Sequence, residues 1–406
     1  MGTRMKLLFW IVVIGILNGQ GKSWADPNLD FLRELVSQSS DTKDAQGVNA
    51  VQEKVTERLK KLGFTVTLVE NPDRVLQSGK MLVAEKAGKT NRFITFVTHA
   101  DTVFETLNPF RISSDGKTAA GSGVIDNKGG IVVGISALSE FTQKIPESRF
   151  SLRLLVSPSE ETGSKGFAPL LMKYSKDSSF LIGLEPGLDD GNYVSSRKGV
   201  RWYDIHVLGR ESHAGAHHED GINACDDLAI KLSKLQAFTD YKKGNTVSVG
   251  SMSGGKNKFN IVCGEAWAKV DTRFSTQSAA KELFQKIDRI LKSTFAHSAK
   301  TGQGTTTTIE LPVDTPPLQE SAAARELLRK YVALISQIEG QTIQGESTGG
   351  VADLNQMVRP GVLIADGMGP LGGGVHTSGE FLTISSLSTR AQALSRFLEA
   401  LEVDLK

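Results

Sequence analysis

The chain has 406 residues, 47 Lys and Arg against 45 Asp and Glu, and a composition that is 39% hydrophobic and 23% charged. That length exceeds one ordinary core and predicts two domains. The balanced charge excludes the basic footprint that nucleic-acid binding requires.

The N-terminus has its own texture. Arg4 and Lys6 precede the apolar run LLFWIVVIGIL (7–17), and a polar stretch follows, ending in Ser-Trp-Ala at Ala25. A basic start, a short apolar run and a small residue at the cut predict a signal peptide over 1–25 and export to the periplasm. The run is short for a bilayer span, although an uncleaved anchor stays open. No Cys follows it, so a lipid anchor has no support. Cleavage would remove Arg4, Lys6 and Lys22 and no acid, leaving 44 basic residues against 45 acidic ones. Cys225 and Cys263 lack zinc-site spacing. An exported protein can hold a disulfide, but two buried free thiols are the expectation.

The mature chain begins helical. AVQEKVTERLKKLGF (50–64) sets Val51, Val55, Leu59 and Leu62 on one face, with Gly63 at the C-cap. TVTLVE (65–70) and RFITFVT (92–98) read as strands, GGIVVGISALSEFTQKI (129–145) as a helix and RFSLRLLVS (149–157) as a strand. This alternation predicts an α/β domain with a mostly parallel central sheet flanked by helices. From about Gly199 a block of β-α-β-α-β order follows: VRWYDIHVLG, GINACDDLAIKLSKLQAF, CGEAWAKVDTRF, AKELFQKIDRILKSTF and TTTTIEL. It predicts a small inserted α+β domain over 200–312. The Pro-rich LPVDTPPL (311–318) returns the chain to the first domain, which thus spans 26–199 and 313–406 and is completed by two C-terminal helices.

Five places put metal-binding side chains just past an apolar run. A hydrolytic metal site needs His and carboxylate ligands, an open coordination position and a carboxylate to take a proton from water. In FITFVTHADTVF, His99 and Asp101 stand at i and i+2 and point the same way, as a ligand and the carboxylate that orients it do. In GSGVIDNKGGIVVG, Asp126 sits in a Gly-rich turn that opens a helix. In SPSEETGSKG, Glu160 and Glu161 are neighbours that project to opposite sides of an extended chain; one can bind a metal while the other faces water. Glu185 follows the apolar FLIGL, and His376 follows the glycines of GGGVHTSGEFL.

The order THADTVF, GSGVIDNKGG, SPSEETGSKG, GLEPG, SHAGA and GGGVHTSGEFL resembles the di-zinc exopeptidases, which include glutamate carboxypeptidases, aminoacylases and acetylornithine or succinyl-diaminopimelate deacylases. The similarity runs from about residue 30 to the C-terminus and is nearest to the secreted bacterial glutamate carboxypeptidases. The resemblance implies two zinc ions per chain. His99 and Glu185 would bind one, Glu161 and His376 the other, and Asp126 would bridge them. It implies Glu160 as general base, Asp101 as the residue orienting His99, and a cis peptide at Asp126–Asn127. The inserted block would be a lid and dimerisation domain, with a homodimer expected. Its ESHAGAHHEDGINA places His213 as an oxyanion-stabilising residue, acting within its chain or across the dimer, and KFNIVCGEAWAKVDTRF places Asn260 and Arg273 against the oxyanion and the substrate carboxylate. Cys263 stands where relatives commonly have Pro, as does His218. STGGVADLN resembles a pocket-lining segment, with Gly350 and Asp353 the best matches.

The other candidates are bland. His217 and His218 read as a solvated loop, His206 and His297 as structural or surface residues, and Lys256 and Lys258 cannot be ranked as carboxylate readers. The implied activity is hydrolysis of an amide bond next to a free carboxylate in a small peptide or N-acyl amino acid, releasing a residue such as glutamate. An N-acyl amino-acid deacylase is the alternative, and a non-catalytic binding relative the remaining one.

Overall fold

A computed structural model describes residues 26–404; the export segment read at 1–25 lies outside the described residues. Asp26 and Asp44 accept backbone N–H bonds at the starts of α1 (Pro27–Val36) and α2 (Ala45–Lys61). In α2 the buried Val48, Val51, Val55 and Leu59 recur at helical spacing, and Gly63, at φ 79°, turns the chain out of the helix.

The chain continues through β1 (Thr65–Val69), β2 (Met81–Lys86), β3 (Phe93–His99), β4 (Arg111–Ile112), β5 (Thr118–Ala120), α3 (Lys128–Lys144), β6 (Ser151–Ser157), α4 (Ala168–Ser175), β7 (Ser178–Gly183) and β8 (Tyr193–Arg197). An inserted block follows, with β9 (Gly199–Leu208), α5 (Ala224–Gln236), β10 (Thr246–Gly254), β11 (Glu265–Phe274), α6 (Gln277–Lys292) and β12 (Thr306–Glu310). The last stretch holds β13 (Asp314–Thr315), β14 (Leu318–Gln319), α7 (Ala322–Glu339), β15 (Gly345–Thr348), β16 (Leu363–Ala365), β17 (Gly372–Gly373), β18 (Phe381–Thr383) and α8 (Ile384–Asp404).

The central sheet has the order β1-β2-β6-β3-β7-β16. Strands β6, β3, β7 and β16 run parallel, and β1 and β2 form an antiparallel edge. Every residue of β6 is buried, so its sequence is a continuous run rather than an alternation, as a strand covered on both faces requires. The register pairs His99 with Ser157 and Val97 with Gly183, which brings the carboxyl ends of β3, β6 and β7 to one edge. One apolar core runs from Phe31 to Leu401 and joins both ends of the chain around this sheet.

The inserted block has a separate core. Its antiparallel sheet, ordered β10-β11-β9-β12, packs one face against Leu228, Leu232 and Leu235 of α5 and Leu283, Ile287 and Leu291 of α6. Fully burying each such side chain contributes about 1.5–3 kcal/mol. On the sheet, His206 stacks on Trp267 with ring centroids 4.9 Å apart. Here the sequence reading needs correction, because β10 was missing from it. TVSVGSMSG is an edge strand exposed over most of its length; Val247 and Val249 alternate into the core, but that run is too short to mark a strand. Among the described residues, no helix is long and apolar enough to cross a membrane.

The expectation of two free thiols is also overturned. Cys225 and Cys263 form a disulfide, with Cα atoms 5.7 Å apart. The fold makes this possible by laying the start of α5 against the segment leading into β11, where Ala224 N–H donates to the Cys263 carbonyl at 2.8 Å. The two cysteines are 38 residues apart, and cross-linking a loop of that size stabilises by about 3–4 kcal/mol in the chain-entropy account. The Cys225→Ser, Cys263→Ser double variant should therefore unfold at lower urea concentration. Wild-type protein should shift to a similar midpoint when reductant is added, whereas the variant should not respond.

Candidate active site

Three parallel strands deliver the first groups. His99 closes β3, Glu160 and Glu161 lie in the turn after β6, and Glu185 lies two residues past β7. Asp101 is fully buried and ties these ends together. Its carboxylate accepts from Glu160 N–H at 3.0 Å, Glu161 N–H at 3.2 Å and the Thr42 hydroxyl at 2.7 Å. His99 Nδ1 lies 3.0 Å from the Asp101 carbonyl and 3.3 Å from its carboxylate. With Nδ1–H donated there, Nε2 is the nitrogen that faces Asp126 Oδ1 at 3.0 Å and Glu185 Oε1 at 3.8 Å, and its proton is the one a cation would displace.

Asp126 comes from the turn between β5 and α3, where the Asp126–Asn127 peptide is cis. His376 comes from the turn between β17 and β18, in the left-handed region at φ 63°. Its Nε2 lies 3.2 Å from Asp126 Oδ2 and 3.0 Å from Glu161 Oε2. Two groups result, His99–Asp126–Glu185 and Asp126–Glu161–His376, each with its ligand atoms within 4.8 Å of one another. They share Asp126. Two imidazoles and three carboxylates, without thiolate, form a donor set that suits zinc or another first-row dication.

The electrostatics show what these groups lack. Burial, opposed by His99 and reinforced by Asp126 and Asp366, pushes Glu185 up to about 8. Burial also carries Glu160 well above the usual carboxylate range, with His99 opposing and Glu185, Asp353 and Glu161 adding. Hydrogen bonds to Asp126 and Glu161 raise His376 to about 10. Burial disfavours His99 protonation, but the charge of Glu185 and the bonds to Asp101 and Asp126 prevail and raise its pKa. Protons thus take the place that cations would fill.

A cleft of about 270 Å³ opens beside these groups. Glu160, Glu161 and His376 line one side, Val200, Trp202, Arg273 and Val313 the other, and Gly350 and Asp353 complete it. Arg273 is held bidentately by Asp271, with Nε at 2.9 Å from Oδ1 and Nη2 at 2.9 Å from Oδ2. Asp271 also accepts from the Trp202 indole at 2.7 Å. Asp353 is buried, and burial, opposed by bonds from Ser164 and Ser157, pushes its pKa to about 6.

Neither His213 nor Asn260 lines this cleft. They are neighbours on the exposed side of the inserted block, where His213 bridges to Ile261 and Ala214 N–H donates to the Asn260 carbonyl at 3.0 Å. Lys256 pairs instead with Glu211 at 2.9 Å, and Lys258 is exposed outside the cleft. His217 and His218 lie on an exposed loop, as expected, with the nearby Asp220 paired to Lys300 at 2.7 Å. His297 is exposed and lies past the end of α6 rather than on it.

Comparison with known proteins assigns the fold and its chemistry. The sequence model of Peptidase family M20/M25/M40 matches residues 95–400. The chain belongs to this family. Carboxypeptidase G2 from a Pseudomonas species is 26% identical over 376 residues, covering 90% of this chain and 87% of that protein. Succinyl-diaminopimelate desuccinylase from Variovorax paradoxus is 23% identical over 400 residues, covering 93% and 98%. The solved structure of a dinuclear metal-binding peptidase of the M20 family from Bacillus subtilis superposes with a TM-score of 0.63 at 15% identity, covering 93% of this chain and 98% of that one. The protein is a metallopeptidase of the M20 family, with carboxypeptidase-type hydrolases among its relatives.

Sequence reading missed three features of this M20 site. Asp366 ends the apolar run of β16, the same signal that exposed His99 and Glu185, and pairs in the interior with Arg197 at 2.6 Å. Trp202 carried no signal, because a strand aromatic reads as core. Glu380, four residues after His376, is buried beside the Asp126 turn.

The pKa pattern predicts how metal binding couples to pH. Near pH 7 the metal-free site holds protons on Glu185 and His376, whose pKa values lie at about 8 and about 10. Cations must displace those protons, so affinity should rise with pH. Calorimetry of zinc binding in buffers of different ionisation enthalpy should show net proton release at pH 7, and no release would contradict the assignment.

Proposed function

We propose that this M20 chain hydrolyses an amide bond next to a free carboxylate and releases a C-terminal amino acid such as glutamate, using two zinc ions and Glu160 as general base. The observation that carries the reading is the pair of ligand groups sharing Asp126, with Glu160 beside them on a cleft whose far wall offers Arg273. His99 and Glu185 would hold one ion, Glu161 and His376 the other, and Asp126 both. When bound, such ions lower the pKa of water and polarise a carbonyl oxygen.

The chain's own residues supply the remaining steps. Glu160 takes the proton of the attacking water and then delivers it to the leaving amine, the two tasks of a general base that turns general acid. Arg273 keeps N–H donors beyond those given to Asp271 and can bind the substrate carboxylate. Gly350 leaves room for the substrate backbone. His213, with Asn260, donates to the developing oxyanion.

Because His213 and Asn260 stand off their own chain's cleft, we place them against the cleft of a second copy in a homodimer formed through the inserted block. Mixing inactive His213→Ala and Glu160→Gln chains should then restore part of the activity in verified heterodimers. No recovery there would place His213 outside catalysis across the interface. Export to the periplasm with cleavage after Ala25 belongs to the same proposal; an exported chain whose intact mass includes residues 1–25 would count against it.

The names of the relatives span peptidase and deacylase chemistry, so N-acyl amino-acid deacylation on the same core is the second reading. Turnover of dipeptides and glutamate conjugates measured beside acetyl and succinyl amino acids separates the two. The peptidase reading expects the larger kcat/KM on the former.

The adjacent glutamates provide the sharpest test of the assignment. Glu160→Gln keeps shape but cannot accept a proton, so kcat should fall by about 10² to 10⁴ with both metals retained. Glu161→Gln exchanges an anionic ligand for a neutral one, so one zinc should bind more weakly and added zinc should recover activity. Metal content measured on both variants decides: zinc loss from Glu160→Gln with full retention by Glu161→Gln would reverse the roles.

A further inference from the structure

The second ligand group depends on two turns that the central sheet does not hold. Asp126 lies between β5 and α3, and His376 lies between β17 and β18. These strands belong to a small separate sheet ordered β17-β18-β5-β4, in which Phe381 pairs with Ala120. The pairing stops short of both ligands. What joins the turns is one carboxylate. Glu380 Oε1 accepts from Ile125 N–H at 2.9 Å and Asp126 N–H at 3.1 Å, and Oε2 accepts from Gly123 N–H at 3.0 Å. Glu380 is 2% exposed, so no water competes for these donors. Its own backbone N–H closes the His376 turn on the Thr377 carbonyl at 3.2 Å.

Convergent backbone N–H groups make a concavity for an anion, and here the anion is built into the opposite turn. We propose that Glu380 is a positioning residue that fixes Asp126 relative to His376 and thereby sets the affinity of the second metal position, Asp126–Glu161–His376. This rests on the two-metal reading above. The first position depends on Glu380 less, because His99 and Glu185 stand at the ends of β3 and β7 in the central sheet and His99 is oriented by Asp101. Loss of the clamp should therefore separate the two metals rather than weaken both alike.

The test is zinc titration of the metal-free full chain against a chromophoric chelator, for wild type, Glu380→Gln and Glu380→Asp. In Glu380→Gln the amide N–H₂ faces backbone N–H donors and cannot accept from them. One equivalent should bind as in wild type and the second about 10- to 100-fold more weakly, the usual consequence of losing a residue that orients a ligand. The visible spectrum of the cobalt-loaded variant should change only on adding the second equivalent. Excess zinc should restore kcat with KM unchanged. Glu380→Asp keeps the charge but is one methylene shorter, and should show the same selective loss to a smaller degree; it serves as the readout if Glu380→Gln does not fold. Wild-type affinity for both equivalents in a folded variant, or equal weakening of both, would overturn the proposal. Wild-type protein binding a single zinc would instead sink the two-metal reading, and this inference with it.

Discussion

Repulsion among buried carboxylates is the constraint around which the rest of the molecule is arranged. Asp126, Glu161 and Glu185 converge with Glu160 at the edge of the central sheet, with only two imidazoles between them. Burying one unpaired carboxylate is costly, and in practice the group protonates instead. The raised values of Glu185 and Glu160 are that response. A fold that accepts such a cluster does so because dications relieve it. The same repulsion then becomes binding energy for the metal, and folding, metal affinity and pH are linked through one set of side chains.

Holding like charges together requires rigid supports, and two anchored carboxylates supply them. Asp101 takes the backbone N–H groups of both Glu160 and Glu161 and faces the His99 ring, so it couples His99 to both adjacent glutamates. Glu380 does the corresponding work between the Asp126 and His376 turns. Neither residue is among the five metal-ligand candidates, and both are buried. Each replaces weak loop contacts with charge-assisted hydrogen bonds, which are about twice as strong as neutral ones. Loops far apart in sequence thus acquire the precision that strand ends have by default.

Much of this was legible in the sequence, for a physical reason. A strand buried on both faces reads as an apolar run, and a polar side chain immediately after it is conspicuous because nothing in the core asks for it. His99, Glu185 and the Glu160–Glu161 pair were all visible in this way, and so was Asp366, although it went unread. The opposite case is β10. Val247 and Val249 reach the core, but the strand then runs on through exposed Gly, Ser and Met, so the alternation is too brief to mark it. The disulfide was illegible because local pattern does not show that the start of α5 meets the segment before β11. Glu380 was hidden for a subtler reason. Its partners are backbone N–H groups, which leave no trace in side-chain spacing.

The cleft also shows why substrate choice is harder to read than chemistry. The metal side is fixed by residues whose types the reaction demands. The facing wall, from β9, β11 and β13, has no such demand, and its charge is largely settled internally: Asp271 binds Arg273 on one side and the Trp202 indole on the other. Arg273 can therefore meet a carboxylate without its own charge standing unpaired in the empty cleft, at the cost of sharing that charge with Asp271. Around it, Val200, Trp202 and Val313 present apolar surface, which rewards burial of a nonpolar group but discriminates weakly among such groups, by about 1–3 kcal/mol per methylene. A polar reader would leave buried groups unpaired when the wrong substrate bound and so reject it strongly. Thr315 and Gln356 add neutral polar groups to the lining, so what this cleft offers for telling substrates apart is the placement of one shared cation and a few polar side chains amid apolar surface.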